Sequence, residues 1–313
     1  MSQAQFRASK GIAGNAVNTP QYFSPWLRCG RHNADFPPSF ATKQNLGATK
    51  IITSRDNPTV KALRALAVDA RETRRQRRTL LDGPHLIDAF HRHLGAPDML
   101  VISESGVGNE EIGRLLDRLP ATETVQIPDS LFREVSGVAT PVGILAVIAI
   151  PDAPFGSIEG SCVMLDAIQD AGNVGAILRT AAAAGIRDVM LGPGCAGPWT
   201  PRVLRAAQGA HFVLRIRDQT DLAAMLHDYK GTSVATVARN GIPLFELELG
   251  GDVAWIFGNE GAGIADAIAF SATRRATIPL AADTESLNVA AAAAVCLFEG
   301  VRQRRWRKGE TNA

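Results

Sequence analysis

Glu260, Ser286 and Asn288 stand in two short polar stretches near the end of the chain, each close behind an apolar run. Gly258-Asn259-Glu260-Gly261-Ala262-Gly263 follows Trp255-Ile256-Phe257 directly, and Glu285-Ser286-Leu287-Asn288-Val289 follows Ile278-Pro279-Leu280. A carboxylate, a hydroxyl and an amide in such places can hold a polar ligand, because open α/β sheets bind ligands in the crevice beyond the carboxyl ends of their strands. A third stretch, Asp170 to Ala181, adds the Asn173 amide and, six residues later, the Arg179 guanidinium. Asn173 can brace a loop or a ligand, and Glu260 can accept hydrogen bonds and so fix Arg179 or Asn173. Ser286 and Asn288 can equally serve as ordinary caps of a following helix. Gly258, Gly261 and Gly263 allow the backbone to approach a ligand closely. No Lys-Ser/Thr pair follows these glycines, which argues against a phosphate-binding P-loop. They come near the end of the strand series rather than after its first strand, which argues against a dinucleotide fold.

These residues need elements to position them. Residues 157–313 alternate strand-like and helix-like runs. Strands are expected at 163–167, 189–191, 212–216, 233–237, 254–257 and 276–279. Helices are expected at 174–184, 202–207, 222–229, 264–270 and from 287 to about 305. Such alternation predicts a parallel sheet with helices on both faces. Residues 49–150 read as a smaller α/β domain. Asn57-Pro58 opens a helix, Leu80 to Gly83 is a strand and turn, and Pro84 starts a second helix. A strand at 99–102, a helix at 112–119 and a closing strand at 142–150 complete it. Pro151 to Gly156 is the expected linker, and residues 1–48, rich in Gly, Asn, Pro and Ser, are expected to be a disordered extension. Asp35 is the only acid in that extension, which leaves an organellar transit peptide open.

Composition bounds the function classes. The chain has 313 residues, 46% hydrophobic and 20% charged, which suits a globular protein with ample core. No apolar run is long enough to span a bilayer, so no membrane partner is expected. Cys29, Cys162, Cys195 and Cys296 form neither a metal-ligand spacing nor a disulfide framework, so no metal centre is expected and a reducing, cytoplasmic setting is. The net charge of +2 is unevenly spread. Nine Lys/Arg between Lys50 and Arg78 face only Asp56, Asp69 and Glu72, and Arg302, Arg304, Arg305, Arg307 and Lys308 face Glu310 alone. Clusters of this kind neutralise nucleic-acid phosphates, although solvated helix faces look the same.

Taken in order, Asp170-Ala171-Gly172-Asn173 to Ala181, Phe257 to Ile264, and Ile278-Pro279-Leu280 with Glu285 to Val289 resemble the SpoU/TrmH family of RNA ribose 2′-O-methyltransferases, within the SPOUT superfamily. The resemblance covers 157–305. It extends more weakly over 49–150, where Glu134-Val135-Ser136 and Thr140 to Val147 are similar to an L30e-like substrate-binding domain. Ala171-Gly172 departs from the Pro-His or Pro-Gly usual in the family, Val142-Gly143 departs from its Gln-Gly, and the segment Arg205 to Ala210 has Ala where many relatives have Ser.

The resemblance implies a C-terminal parallel-sheet domain tied in a trefoil knot, preceded by the small α/β domain, and a homodimer with its active site near the subunit interface. It implies S-adenosylmethionine as cofactor, held by Gly258, Ile278 and Leu287, with Asn173, Arg179, Glu260, Ser286 and Asn288 as catalytic residues. An arginine keeps its proton, with a pKa of ~12 or above, so Arg179 is expected to orient and stabilise a developing alkoxide rather than act as a base. The implied partner is RNA, with ribosomal RNA favoured by the L30e-like domain and transfer RNA as the alternative. A catalytically inactive RNA-binding relative and an unrelated nucleotide-dependent enzyme are the competing readings. The polar residues of the three blocks are intact, which speaks against the first, and the missing phosphate loops speak against the second.

Overall fold

The computed structural model describes residues 49–138, 140–152, 158, 160–282 and 284–307, with backbone only at 306 and 307. The expected extension 1–48, most of the expected linker, and Lys308 lie outside the described residues. The described residues fall within a single compact unit, Gln44–Ala313.

The first part runs β1 (Lys50–Ile51), α1 (Pro58–Val68), α2 (Ala70–Gln76), β2 (Arg78–Asp82), α3 (Pro84–Leu94), β3 (Met99–Ser103), α4 (Glu110–Leu116), β4 (Thr124–Ile127), α5 (Asp129–Ser136) and β5 (Ile144–Ala149). Its five-stranded sheet has the order β1-β4-β3-β5-β2, with β5 antiparallel to both neighbours. Asn57 caps α1 by accepting from the Thr59 N–H, as its side chain type favours. Asn109 does the same for α4. The strand expected from 142 begins only at Ile144, because Gly143 sits at φ +107° with the backbone of Gly106 packed against it.

The second part runs β6 (Cys162–Leu165), α6 (Ala171–Ala183), β7 (Asp188–Leu191), α7 (Pro201–Ala207), β8 (Arg215–Arg217), α8 (Leu222–Asp228), β9 (Thr232–Thr236), β10 (Ile242–Pro243), β11 (Val253–Phe257), α9 (Asp266–Ser271), β12 (Arg274–Thr277) and α10 (Val289–Arg307). Its seven-stranded sheet has the order β10-β12-β9-β11-β6-β7-β8, and each pairing is parallel. Every strand therefore ends on the same edge. The central strands β6, β7 and β11 are buried along their whole length, which is why they read as continuous apolar runs. One expectation fails: Phe212 is not in a strand. Gln208 and Gly209 both take left-handed φ values, of 51° and 86°, and turn the chain into a single 3₁₀ turn at Ala210–Val213. That turn seats Phe212 edge-on against Phe90, with ring centroids 5.4 Å apart, and β8 starts three residues later.

The two sheets share one apolar core. Leu81, Ile87 and Phe90 belong to the same buried cluster as Val163, Ala210 and Phe212. Polar contacts cross the junction as well. The Thr79 hydroxyl donates to the Trp199 carbonyl at 2.6 Å, and Arg205 meets the largely buried Asp82 at 3.2 Å.

Candidate active site

Strand β11 stops at Phe257 because the next residue must be a glycine for a local reason. A Cβ on Gly258 would lie 2.4 Å from the Gly263 carbonyl and 2.5 Å from the Ile264 nitrogen. These are backbone atoms and cannot yield. The glycine is required by the loop's own fold, which turns back onto Gly258.

Asn259 holds that loop, a role the sequence reading did not assign. Its backbone exchanges two hydrogen bonds with Gly263, both at 2.9 Å. Its side-chain oxygen accepts from the N–H groups of Gly261 and Ala262, and its amide donates to the Ala167 carbonyl. Gly263 supplies the positive φ, +75°, that the reversal needs. Asp166, nearly buried at the end of β6, accepts from the Ala265 N–H at 2.7 Å and secures the far side of the loop. The signal was present in the sequence as an Asn before a glycine-rich turn, a residue type that bonds readily to its own following backbone.

The three sequence blocks converge at this edge. Asp170 caps α6 by accepting from the Asn173 N–H at 2.7 Å, which fixes Asn173 in the first turn. The Asn173 amide then donates to Glu260 Oε1 at 2.6 Å. Asn288 donates to Asn173 Oδ1 at 2.9 Å while its own oxygen accepts from the N–H groups of Ala290 and Ala291 at the start of α10. Asn288 is therefore a helix cap and a link to Asn173 at once. The chain Asn288–Asn173–Glu260 spans residues 115 and 87 positions apart in sequence.

Beside this chain lies a cavity of about 690 Å³, lined by the ends of β9 and β11, the β11 loop and the segment from Ile278 to Ala292. Gly258, Glu260, Ile278, Ser286, Leu287 and Asn288 all line it. Asn173 joins only through its hydrogen bonds. Arg179 does not line it: the side chain is exposed on α6, about 240° around the helix from Asn173 at 100° per residue, and makes no hydrogen bond or ion pair with the described residues. Among the described residues no cluster of His, Cys, Asp or Glu could hold a metal.

The walls mix apolar and acidic groups: Ile264, Ile278 and Leu287 line it with apolar surface, and the carboxylates of Glu260 and Glu285 make it favour a cationic ligand over an anionic one. The expected basic surface is different from its sequence appearance. Arg55 and Arg64 pair with Glu134, Lys61 with Asp56, Arg74 with Asp218, Arg75 with Glu72, Arg77 with Asp152 and Arg78 with Asp98. Four of the partnering carboxylates, Asp98, Glu134, Asp152 and Asp218, lie outside the Lys50–Arg78 segment, so folding reduces the local excess of cations from six to two.

An α/β sheet with a looped crevice at the carboxyl edge of its parallel strands defines a class of small-ligand-binding proteins. Comparison with known proteins narrows it. Residues 160–298 match the model of the SpoU rRNA Methylase family. The 23S rRNA (guanosine(2553)-2′-O)-methyltransferase RlmP of Bacillus subtilis is 31% identical over 223 residues, which is 70% of this chain and 86% of that protein. An uncharacterized tRNA/rRNA methyltransferase of Synechocystis is 31% identical over 267 residues, 81% of this chain and 94% of that protein. The crystal structure of an AdoMet-bound rRNA methyltransferase from Sinorhizobium meliloti superposes with a TM-score of 0.69 at 27% identity, covering 82% of this chain and 98% of that one. The chain belongs to the SpoU/TrmH family of RNA 2′-O-ribose methyltransferases.

Proposed function

We propose that this protein transfers a methyl group from S-adenosylmethionine to a ribose 2′-hydroxyl of ribosomal RNA. The observation that carries the reading is the Asn288–Asn173–Glu260 chain, which joins all three family blocks beside one cavity. S-adenosylmethionine, when bound, supplies an activated methyl on a sulfonium. The protein's residues do the rest by position and charge. Gly258, Ile278 and Leu287 hold the adenosine end, largely through backbone groups. Asn173 and Asn288 fix Glu260, Ser286 offers a hydroxyl at the rim, and Arg179 would steady the 2′ oxygen as it exchanges its proton, taken up by solvent, for the methyl released by the sulfur.

That last role has a geometric consequence. Arg179 stands apart from the cavity of its own chain, so we assign the working site to a homodimer in which a second copy brings its Arg179 to the cavity. An apolar stripe supports this: Ala291, Val295 and Phe298 lie exposed on successive turns of α10, which packs on α6. We further propose that the C-terminal segment threads a trefoil knot. Leaving β12 at one side of the sheet, it must pass the loops after β9 and β11 to bring Asn288 to Asn173. The five-stranded sheet of residues 49–150 is read as the L30e-like RNA-binding domain, and residues 157–313 as the methyltransferase domain. No described helix is long and apolar enough to cross a membrane. The cytoplasmic assignment rests on Cys162, Cys195 and Cys296, all free thiols in the described core. Transfer RNA is the second substrate reading, favoured by nothing specific in the site.

Purified protein incubated with methyl-labelled S-adenosylmethionine and unmodified 23S rRNA transcript should label the RNA on a ribose. Labelling of tRNA alone would move the target, and labelling of neither would overturn the assignment.

A further inference from the structure

A second cavity, of about 620 Å³, adjoins the first. Ala238, Ile278, Leu280 and Glu285 line both, so the two share a wall at the carboxyl edge of the large sheet. The rest of the second lining is polar: Arg239 and Asn240 from the loop after β9, with Thr277 and Thr284. Arg239 is the one Lys or Arg in the described lining of either cavity. Its side chain is exposed and makes no hydrogen bond or ion pair with the described residues.

The loop that carries Arg239 is pinned on both sides. Before it, the Val237 N–H donates to the Ala276 carbonyl at 2.9 Å. After it, Gly241 lies flat against β12: a Cβ there would sit 2.8 Å from the Ala276 carbonyl carbon and 2.9 Å from the Thr277 nitrogen. The Thr277 hydroxyl donates to the Gly241 carbonyl at 3.2 Å. Between these points Asn240 turns the chain with a left-handed φ of 59°, a conformation its side-chain type tolerates. Arg239 is thus presented from a fixed backbone at the cavity mouth, which lowers the ordering cost of a contact made there.

The charge of the walls indicates what that contact is. A ribose 2′-hydroxyl lies on the carbon next to the one that bears the 3′-phosphate, so a target sugar within a strand brings an anion with it. Glu260 and Glu285 in the walls repel that anion. Arg239 is the cation of these walls that offsets them, and a guanidinium binds phosphate oxygens through paired N–H donors. We propose that Arg239 binds a backbone phosphate of the substrate strand beside the target ribose, and so positions the strand over the donor cavity. The inference rests on the RNA-methylation reading above.

The test uses the full chain, saturated with S-adenosylhomocysteine, and an unmodified ribosomal RNA transcript that the wild type methylates. Arg239→Gln should weaken RNA binding roughly fivefold at about 0.1 M salt and lower the salt slope by about one. Arg239→Lys keeps the charge and should keep the slope. Lys230→Gln removes the same charge from an exposed residue just before β9, at the opposite edge of the sheet, and should change neither. Affinity for S-adenosylhomocysteine should stay within about twofold of wild type in all three, which also reports that the fold is intact. Wild-type RNA affinity and slope in Arg239→Gln would overturn the proposal while leaving methylation by the wild type standing. An equal loss in Lys230→Gln would also overturn it, as a general effect of charge. Lost S-adenosylhomocysteine affinity with RNA binding intact would overturn it too, and would give Arg239 to the carboxylate of the donor. If the wild type methylates no ribosomal transcript, the functional reading fails first, and this contact with it.

Discussion

The two sheets handle charge in opposite ways. In the first, the arginines and lysines of 50–78 are mostly spent on carboxylates, several of them far away in sequence. In the second, the polar groups of the site are fixed by amide hydrogen bonds while Arg179 remains exposed and unpaired among the described residues. The contrast separates charge already met by a partner carboxylate from charge left open to solvent. We propose that the open Arg179, rather than the dense basic run, marks where RNA is worked on.

Breaking the contrast at Arg179 should have the largest effect. Arg179→Ala should lower methyl transfer by ~10²–10³, the scale of losing one group that stabilises developing charge. Donor affinity and melting temperature should be unchanged, since the side chain is exposed and makes no hydrogen bond or ion pair with the described residues. A variant with wild-type turnover would remove Arg179 from the mechanism. Gly258→Val should act through the fold instead. Its side chain meets backbone at 2.4 Å, so the loop must open, at a cost of about 3 kcal/mol, and donor binding should vanish with it. Retained donor affinity by calorimetry would mean the cavity is held by other loops.

The junction between the sheets offers a pH test. His211 is fully buried with its Nε2 bonded to the Pro198 carbonyl at 2.7 Å, and burial lowers its pKa from 6.5 to about 4. The unfolded chain gains a proton below about 6.5 that the folded protein refuses until about 4. Stability from this residue is therefore complete above pH 6.5 and declines as pH falls towards 4, by about 3 kcal/mol in total. Denaturant titrations of wild type and His211→Gln should diverge over that window. Parallel curves would show that His211 titrates normally. The smallest effect is expected from Arg75→Gln with Arg78→Gln. Both cations are exposed and already paired with Glu72 and Asp98, so RNA affinity should change less than about twofold. A large loss, with a flatter salt dependence, would restore the basic run as an RNA surface.

The elements that were legible in the sequence are those whose burial writes a pattern. Strands β6, β7, β9 and β11 are apolar runs bounded by turn residues, and α1, α3, α6 and α10 begin at caps or prolines. Helix α2, Ala-Arg-Glu-Thr-Arg-Arg-Gln, was not legible because it buries only Thr73 and has no apolar period. Strand β4 and helix α5 were missed for a related reason: each is short, and their apolar residues meet partners distant in sequence. Strands β1 and β10 are two residues long and carry no periodicity at all. At the site, the three blocks were visible as residue types at strand ends. The Asn259 staple left only the trace of an Asn before a glycine-rich turn, and the self-contact at Gly258 left none, because both depend on how one loop folds onto its own backbone.

The central claim is that this cavity serves methylation of a ribose hydroxyl in ribosomal RNA. Mass spectrometry of 2′-O-methylated nucleotides in ribosomal RNA, compared between cells with and without the protein, tests it most directly. The account predicts that one 2′-O-methyl site disappears without the protein, returns with the wild-type chain and does not return with Arg179→Ala. An unchanged set of ribose methylations across the ribosomal RNAs would contradict it.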